Sequence, residues 1–276
     1  MDVEMEDLKT GTVVVEKVMG KSTATRCFSK YPLKFILPRK VGSSQTDAVW
    51  IYALTYGGGI VSVYKCVGSR CSVQIYEARI GIDALLVVIP DPVTCFSTAK
   101  YSQKQVFRIM SNSSLLIVDW ITSGRHESGE KWDFTHYKST NHIYLEGDEP
   151  LFLDTVLLEQ GSTVTIAERV QDYQVLAMVI ILGPKLKHVQ TKVQEDVKNM
   201  MSEQLQLPAT SLRRYSAPST SHSLIKPSFL ASCSPFGPQG SGVVIRIAAM
   251  TTESVYRFLQ QQLASLEPLV GVLPYC

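Results

Sequence analysis

Leu115-Leu116-Ile117-Val118-Asp119-Trp120-Ile121 decides the reading of the whole chain. The run is aliphatic, β-branched and aromatic, is too short for a buried helix, and follows the turn triplet Ser111-Asn112-Ser113. Such residues suit a pleated surface, and Asn and Ser favour turns by bonding their own backbone. The run is therefore a strand. Outward from it the same grammar repeats: apolar runs at 12–18, 33–37, 49–56, 72–78, 84–89, 105–110, 142–146, 151–158 and 174–182 alternate with turn residues. Pro90-Asp91-Pro92, Glu146-Gly147-Asp148 and Gln160-Gly161-Ser162 supply that punctuation, so residues 11–183 are mainly β.

After Pro184 the period changes. Val193, Val197, Met200, Met201 and Leu205 recur at three- and four-residue steps, an amphipathic helix stopped by Pro208. A second helix is expected over 253–266, capped by Thr251 or Thr252, with Val255, Phe258, Leu259, Leu263 and Leu266 as its stripe and Pro268 at its end. The Ser- and Pro-rich stretch 208–242 reads as a flexible loop, and 243–249 as a strand. A single β-rich domain spanning 1–276 is expected, with two α-helices in its C-terminal third.

Composition narrows the function. The chain has 276 residues, 45% of them hydrophobic, with 27 Lys and Arg against 25 Asp and Glu. A net charge of +2 and 19% charged residues disfavour a disordered chain and an electrostatic nucleic-acid binder. The opening Met1-Asp2-Val3-Glu4-Met5-Glu6-Asp7 is acidic, unlike a secretory or transit segment, and the runs 84–89 and 175–182 are far too short to span a bilayer. A cytoplasmic protein with no nucleic-acid or membrane partner is the expectation. Its cysteines, at 27, 66, 71, 95, 233 and 276, form no CxxC pair and read as reduced. Cys66 and Cys71 lack the further ligands a zinc site needs.

Familiar catalytic signatures fail on inspection. Gly20-Lys21-Ser22 lacks the earlier glycine of a phosphate-binding loop, and Gly57-Gly58-Gly59-Ile60-Val61 has the wrong spacing for a dinucleotide fold, so it reads as a tight turn. More telling are two acids inside apolar segments: Asp119, and Asp154 in Leu151-Phe152-Leu153-Asp154-Thr155-Val156. Each either faces solvent across an alternating strand or points inward, where a carboxylate persists only if paired, hydrated or metal-linked. A rival reading is a small-molecule enzyme whose cleft holds His126, Glu127, Glu130 and His136.

The order of several motifs resembles the UreD (UreH) family of urease accessory proteins, in detail a plant-like member. These motifs are Tyr31-Pro32-Leu33-Lys34, Gly57-Gly58-Gly59-Ile60-Val61, Val63-Tyr64-Lys65, Pro90-Asp91-Pro92-Val93 with Phe96, Asp119-Trp120 to Gly124-Arg125, Gly129-Glu130, and Glu149-Pro150-Leu151 with Asp154. The resemblance implies stacked, helically arranged β-sheets and a non-enzymatic scaffold. It would bind apo-urease, recruit UreF and the GTPase UreG, and help deliver nickel, held only in transit, through an internal polar passage. Asp119 and Asp154 match acidic positions of that passage. Glu130 and Arg125 are secondary candidates, for the passage or for an ion pair that stabilises a turn. The C-terminal helices are the candidate UreF contact, against burial in the chain's own core.

One departure stands out. Family members extend the glycine turn through further strands before Thr-Lys-Val-Tyr, whereas here Ser62 joins Val63-Tyr64-Lys65 directly. The resemblance therefore implies an isoform, of the kind alternative splicing makes, that lacks an internal segment and one acidic passage residue. Such a form would be less stable or less active than a full-length relative, or inactive through loss of core strands.

Overall fold

The computed structural model describes residues 9–31, 33–38, 46–55, 65–66, 69–125, 128–206 and 226–275. Its β-strands are β1 (Gly11–Val18), β2 (Lys21–Ser29), β3 (Leu33–Ile36), β4 (Val49–Thr55), β5 (Lys65–Cys66), β6 (Ser69–Ile80), β7 (Leu85–Val88) and β8 (Val93–Thr94). They continue with β9 (Lys100–Ile109), β10 (Ser114–Thr122), β11 (His136–Tyr144), β12 (Pro150–Glu159), β13 (Val175–Leu182), β14 (Phe229–Phe236) and β15 (Gly242–Ala249). The α-helices are α1 (Ile166–Val170), α2 (Lys187–Gln206), α3 (Thr252–Leu263) and α4 (Glu267–Val270).

Two sheets result. The first runs β12-β11-β9-β6-β1-β2, and the second β14-β15-β13-β10-β7-β4-β3. The chain visits them in turn, so each return lays a strand parallel to the previous visit: β1, β6, β9 and β11 in one sheet, β4, β7 and β10 in the other. Parallel neighbours need a crossover, and here the opposite sheet supplies it. This winding gives the helically stacked β architecture that the resemblance implies.

Helices α2 and α3 cover the outer face of the second sheet. Val193 and Val197 of α2, and Val255, Phe258, Leu259 and Leu263 of α3, are buried with Leu266 in one core with Trp120, Val179 and Ile245. Burying each such side chain is worth roughly 1.5–3 kcal/mol. Most of the apolar helical stripe is therefore the chain's own core, while Met201 stays exposed. Strands β10 and β13 lie between the helices and the first sheet, which explains why they read as unbroken apolar runs.

Several local features differ from expectation. Residues 229–236, inside the stretch expected to be a loop, form β14, an edge strand on β15; there Pro235 is tolerated because one side of the strand needs no ladder. Residues 208–225 lie outside the described residues. Strand β2 went unrecognised because it too is an edge, largely exposed and without apolar alternation. Thr251 caps α3 as expected, but Pro268 does not end the helical region. It sits in the first turn of α4, which closes on the left-handed Gly271. The short α1 carries a capping box between Thr165 and Glu168.

Candidate functional site

Strand alternation splits the sequence Asp119-Trp120 between two layers. Trp120 faces the helices, stacking edge-on against Tyr256 and Tyr275 while its indole N–H donates to the Pro90 carbonyl. Asp119 faces the other way, into the space between the sheets, and is only 7% exposed. It is the inward of the two readings that holds.

What meets Asp119 there is a belt of polar side chains. The Gln103 amide donates to Oδ1 at 2.8 Å; the Ser139 hydroxyl and the Asn141 amide donate to Oδ2 at 2.5 and 2.7 Å. Tyr101 OH in turn donates to Gln103 Oε1 at 2.8 Å, fixing which end of that amide faces the acid. The belt follows from register: Gln103 of β9 lies beside Ser139 of β11, and Gln105 of β9 beside Asn141, which lies beside Asp154 of β12. Above and below it the inter-sheet core is apolar. Phe107, Ile117, Ile143 and Ile180 pack on one side, and Tyr101, Ile121, Trp132 and Tyr137 on the other.

All three donors to Asp119 are uncharged, so burial outweighs them and pushes its carboxyl above the usual aspartate range; the negative charge of Asp154 pushes the same way. Such a group is an uncompensated or protonated acid at the centre of the protein. Two further acceptors, Asn141 Oδ1 and Asp154 Oδ2, are buried without a hydrogen-bond partner among the described residues. The belt is thus short of positive charge and of donors. Asp154 Oδ1 accepts from Arg246 Nη2 at 2.6 Å, at the solvent end of the belt.

Glu130 has a different setting. Arg125 donates to it from Nη2 at 2.5 Å, from Nε at 3.1 Å and from its backbone N–H at 3.2 Å, while the guanidinium lies 4.2 Å from the Phe96 ring centre. Arg125 holds the Glu130 carboxyl down at about 2. Gly124, with φ +131°, brings the turn so close that a β-carbon there would meet Glu130 Cβ at 3.0 Å. Of the two roles open to Glu130, the geometry is that of the ion pair that stabilises a turn.

Of the rival enzyme cleft only Glu130 and His136 are among the described residues, and each is engaged by another partner. His136 Nδ1 lies 2.8 Å from Glu159 Oε1 across β11 and β12, Glu130 is held by Arg125, and His126 and Glu127 lie outside the described residues. Gly57, Gly58, Gly59 and the Ser62–Val63 join also lie outside them. Among the described residues no cluster of three or more His, Cys, Asp or Glu forms a metal site, and no helix is long and apolar enough to cross a membrane. Gln103, Gln105, Ser139, Asn141 and Arg246 escaped the sequence reading. Their signal was faint: Tyr101, Gln103, Gln105, Phe107 and Tyr137, Ser139, Asn141, Ile143 place polar residues on the apolar face of two strands.

Comparison with known proteins agrees over most of the chain. The family model described as UreD urease accessory protein matches residues 62–276. "Urease accessory protein D" of Arabidopsis thaliana is 62% identical over 293 residues, covering 97% of this chain and all of that protein. The protein of the same name in Oryza sativa subsp. indica is 55% identical, covering 96% of this chain and 95% of its own length. "Urease accessory protein UreD" of an Anaeromyxobacter species is 28% identical, covering 96% and 88%. The Arabidopsis alignment occupies more positions than the 276 residues of this chain, so that relative carries residues with no counterpart here.

Proposed function

This chain belongs to the UreD family of urease accessory proteins, and on that premise we propose that it is a non-catalytic, cytoplasmic scaffold in urease maturation. It binds apo-urease, recruits UreF and the GTPase UreG, and passes nickel toward the urease active site along the polar belt. The observation that carries this reading is Asp119, a buried carboxylate held by neutral donors alone; one of them, Asn141, has its own Oδ1 unpartnered and lies beside Asp154 on the strand register.

The chemistry suits passage rather than storage. A divalent cation gains from an uncompensated buried charge, and oxygen donors hold a borderline ion such as nickel more loosely than thiolate or imidazole clusters do. A route must bind weakly enough to release. Asp119 and Asp154 are the residues proposed to meet the ion; Glu130 is assigned to the turn.

Changing Asp119 or Asp154 to Ala in a full-length relative, coexpressed with apo-urease, UreF and UreG, should lower urease activation while leaving partner capture intact. Loss of capture together with activation would make the two acids structural. A second reading is favoured by the residues that relatives carry and this chain lacks: a form folded well enough to keep the belt but reduced in activation or solubility.

A further inference from the structure

We infer that Arg246 is a resident cation that closes the solvent end of the belt, a specificity residue that an ion must displace before it reaches Asp154 and Asp119. The inference rests on the reading of the two acids given above.

Register places Arg246 there. Across the second sheet Asp119 of β10 lies beside Met178 of β13, which lies beside Arg246 of β15, so all three side chains leave on the face toward the first sheet. Asp119 is interior, whereas Arg246 sits where the layers open, its side chain 50% exposed. Its Nη1 lies 3.9 Å from Met178 Sδ, and its Nη2 reaches inward to Asp154, whose side chain is only 11% exposed. One guanidinium thus spans the boundary between water and the belt. It engages one oxygen of Asp154 and leaves the buried Oδ2 without a partner.

That arrangement discriminates by charge. A buried carboxylate open to solvent would attract any cation, including the sodium and potassium present in excess. Arg246 already supplies a single positive charge at hydrogen-bond distance, so a monovalent ion gains little by replacing it. A small divalent ion brings twice the charge and can use the vacant Oδ2 as well. Displacement costs little for a half-exposed arginine, whose head swings into water while its stem stays packed.

The test is nickel(II) binding to the purified full chain by calorimetry in potassium chloride. Removing the charge in Arg246→Gln should tighten binding about ten-fold and make it sensitive to potassium; Arg246→Lys should stay within about three-fold of wild type. The gain should vanish when Asp154→Asn is added. Binding that Asp154→Asn weakens but Arg246→Gln does not strengthen overturns the role of Arg246 alone. Binding indifferent to both Asp119→Asn and Asp154→Asn overturns the reading of the acids, and Arg246 with it. Should Arg246→Gln fail to fold, the wild type decides. Its Arg246 guanidinium NMR signal should lose its protection as zinc(II), a diamagnetic probe, is added, and an unchanged signal in the zinc-bound protein refutes displacement.

Discussion

Replacing Asp119 by Asn keeps the volume of the side chain and removes its charge, which sets two terms against each other. The amide keeps one acceptor oxygen and puts a donor NH2 in place of the other, where Oδ1 accepts from Gln103 or Oδ2 from Ser139 and Asn141, so at least one buried hydrogen bond is lost, at about 1–3 kcal/mol. Against that, the uncompensated charge goes: each pH unit by which burial holds the carboxyl above its ordinary value cost the native state about 1.4 kcal/mol. The net loss at pH 7 should stay below about 1 kcal/mol, far from the roughly 3–5 kcal/mol seen when a partnered buried ion pair is broken. The pH dependence gives the sharper test. Above the ordinary aspartate value the unfolded chain has released its proton while native Asp119 still holds one, so unfolding releases a proton. Wild-type stability, measured relative to the variant, must therefore fall as pH rises through that window and level off beyond it. Urea denaturation of both proteins between pH 4 and 8 measures the difference directly. A wild type that gains on the variant with rising pH, together with a loss of 3 kcal/mol or more, would mean that a cation holds Asp119, and the electrostatic case for the belt would fail.

Glu130→Gln should leave nickel-dependent activation unchanged while lowering stability. The Arg125 pair contributes fully above the ordinary glutamate range and is lost as pH falls through about 2, so acid unfolding curves of wild type and variant should converge there; lost activation in a stably folded variant would return Glu130 to the passage. Gly183→Ala should cost more than about 3 kcal/mol by denaturant titration, because Gly183 has φ +97° and a β-carbon would lie 2.3 Å from the Ser113 carbonyl oxygen. A stable variant would show that the joint between β13 and α2 is looser than drawn. Inserting after Ser62 the segment that the family resemblance implies is missing should raise both soluble yield and urease activation in coexpression, and equal values with and without it would refute a functional loss.

Where a strand is buried on one or both faces, its residues declare it, and β7, β10 and β13 stand out as apolar runs. Edge strands β2 and β14 do not, because half of their backbone faces water and their side chains are free to be Ser, Thr, Lys or Pro. The helical stripes were legible at 3.6-residue spacing, and Thr251 was legible as a cap. The site was half legible. Asp119 and Asp154 show themselves by breaking apolar runs, but whether each faces inward depends on layers that a single strand cannot reveal. Gln103, Ser139 and Asn141 are ordinary strand residues until parallel pairing brings them into one plane, and Arg246 acquires meaning only through an acid 92 positions earlier in the chain.

Because β10 and β13 are greasy on both sides, sliding one past the other by a single step would exchange aliphatic for aliphatic, and the inside-out rule that aligns most sheets has little grip on them. Asp119 restores that grip. A two-step slide would carry it to the place of Ile117 opposite Ile180, among hydrocarbon with nothing to bond, at a cost of several kcal/mol. The same carboxylate therefore serves as the notch by which the central strands find their seating, so a variant that erases it risks trading function for a protein that can settle in more than one alignment.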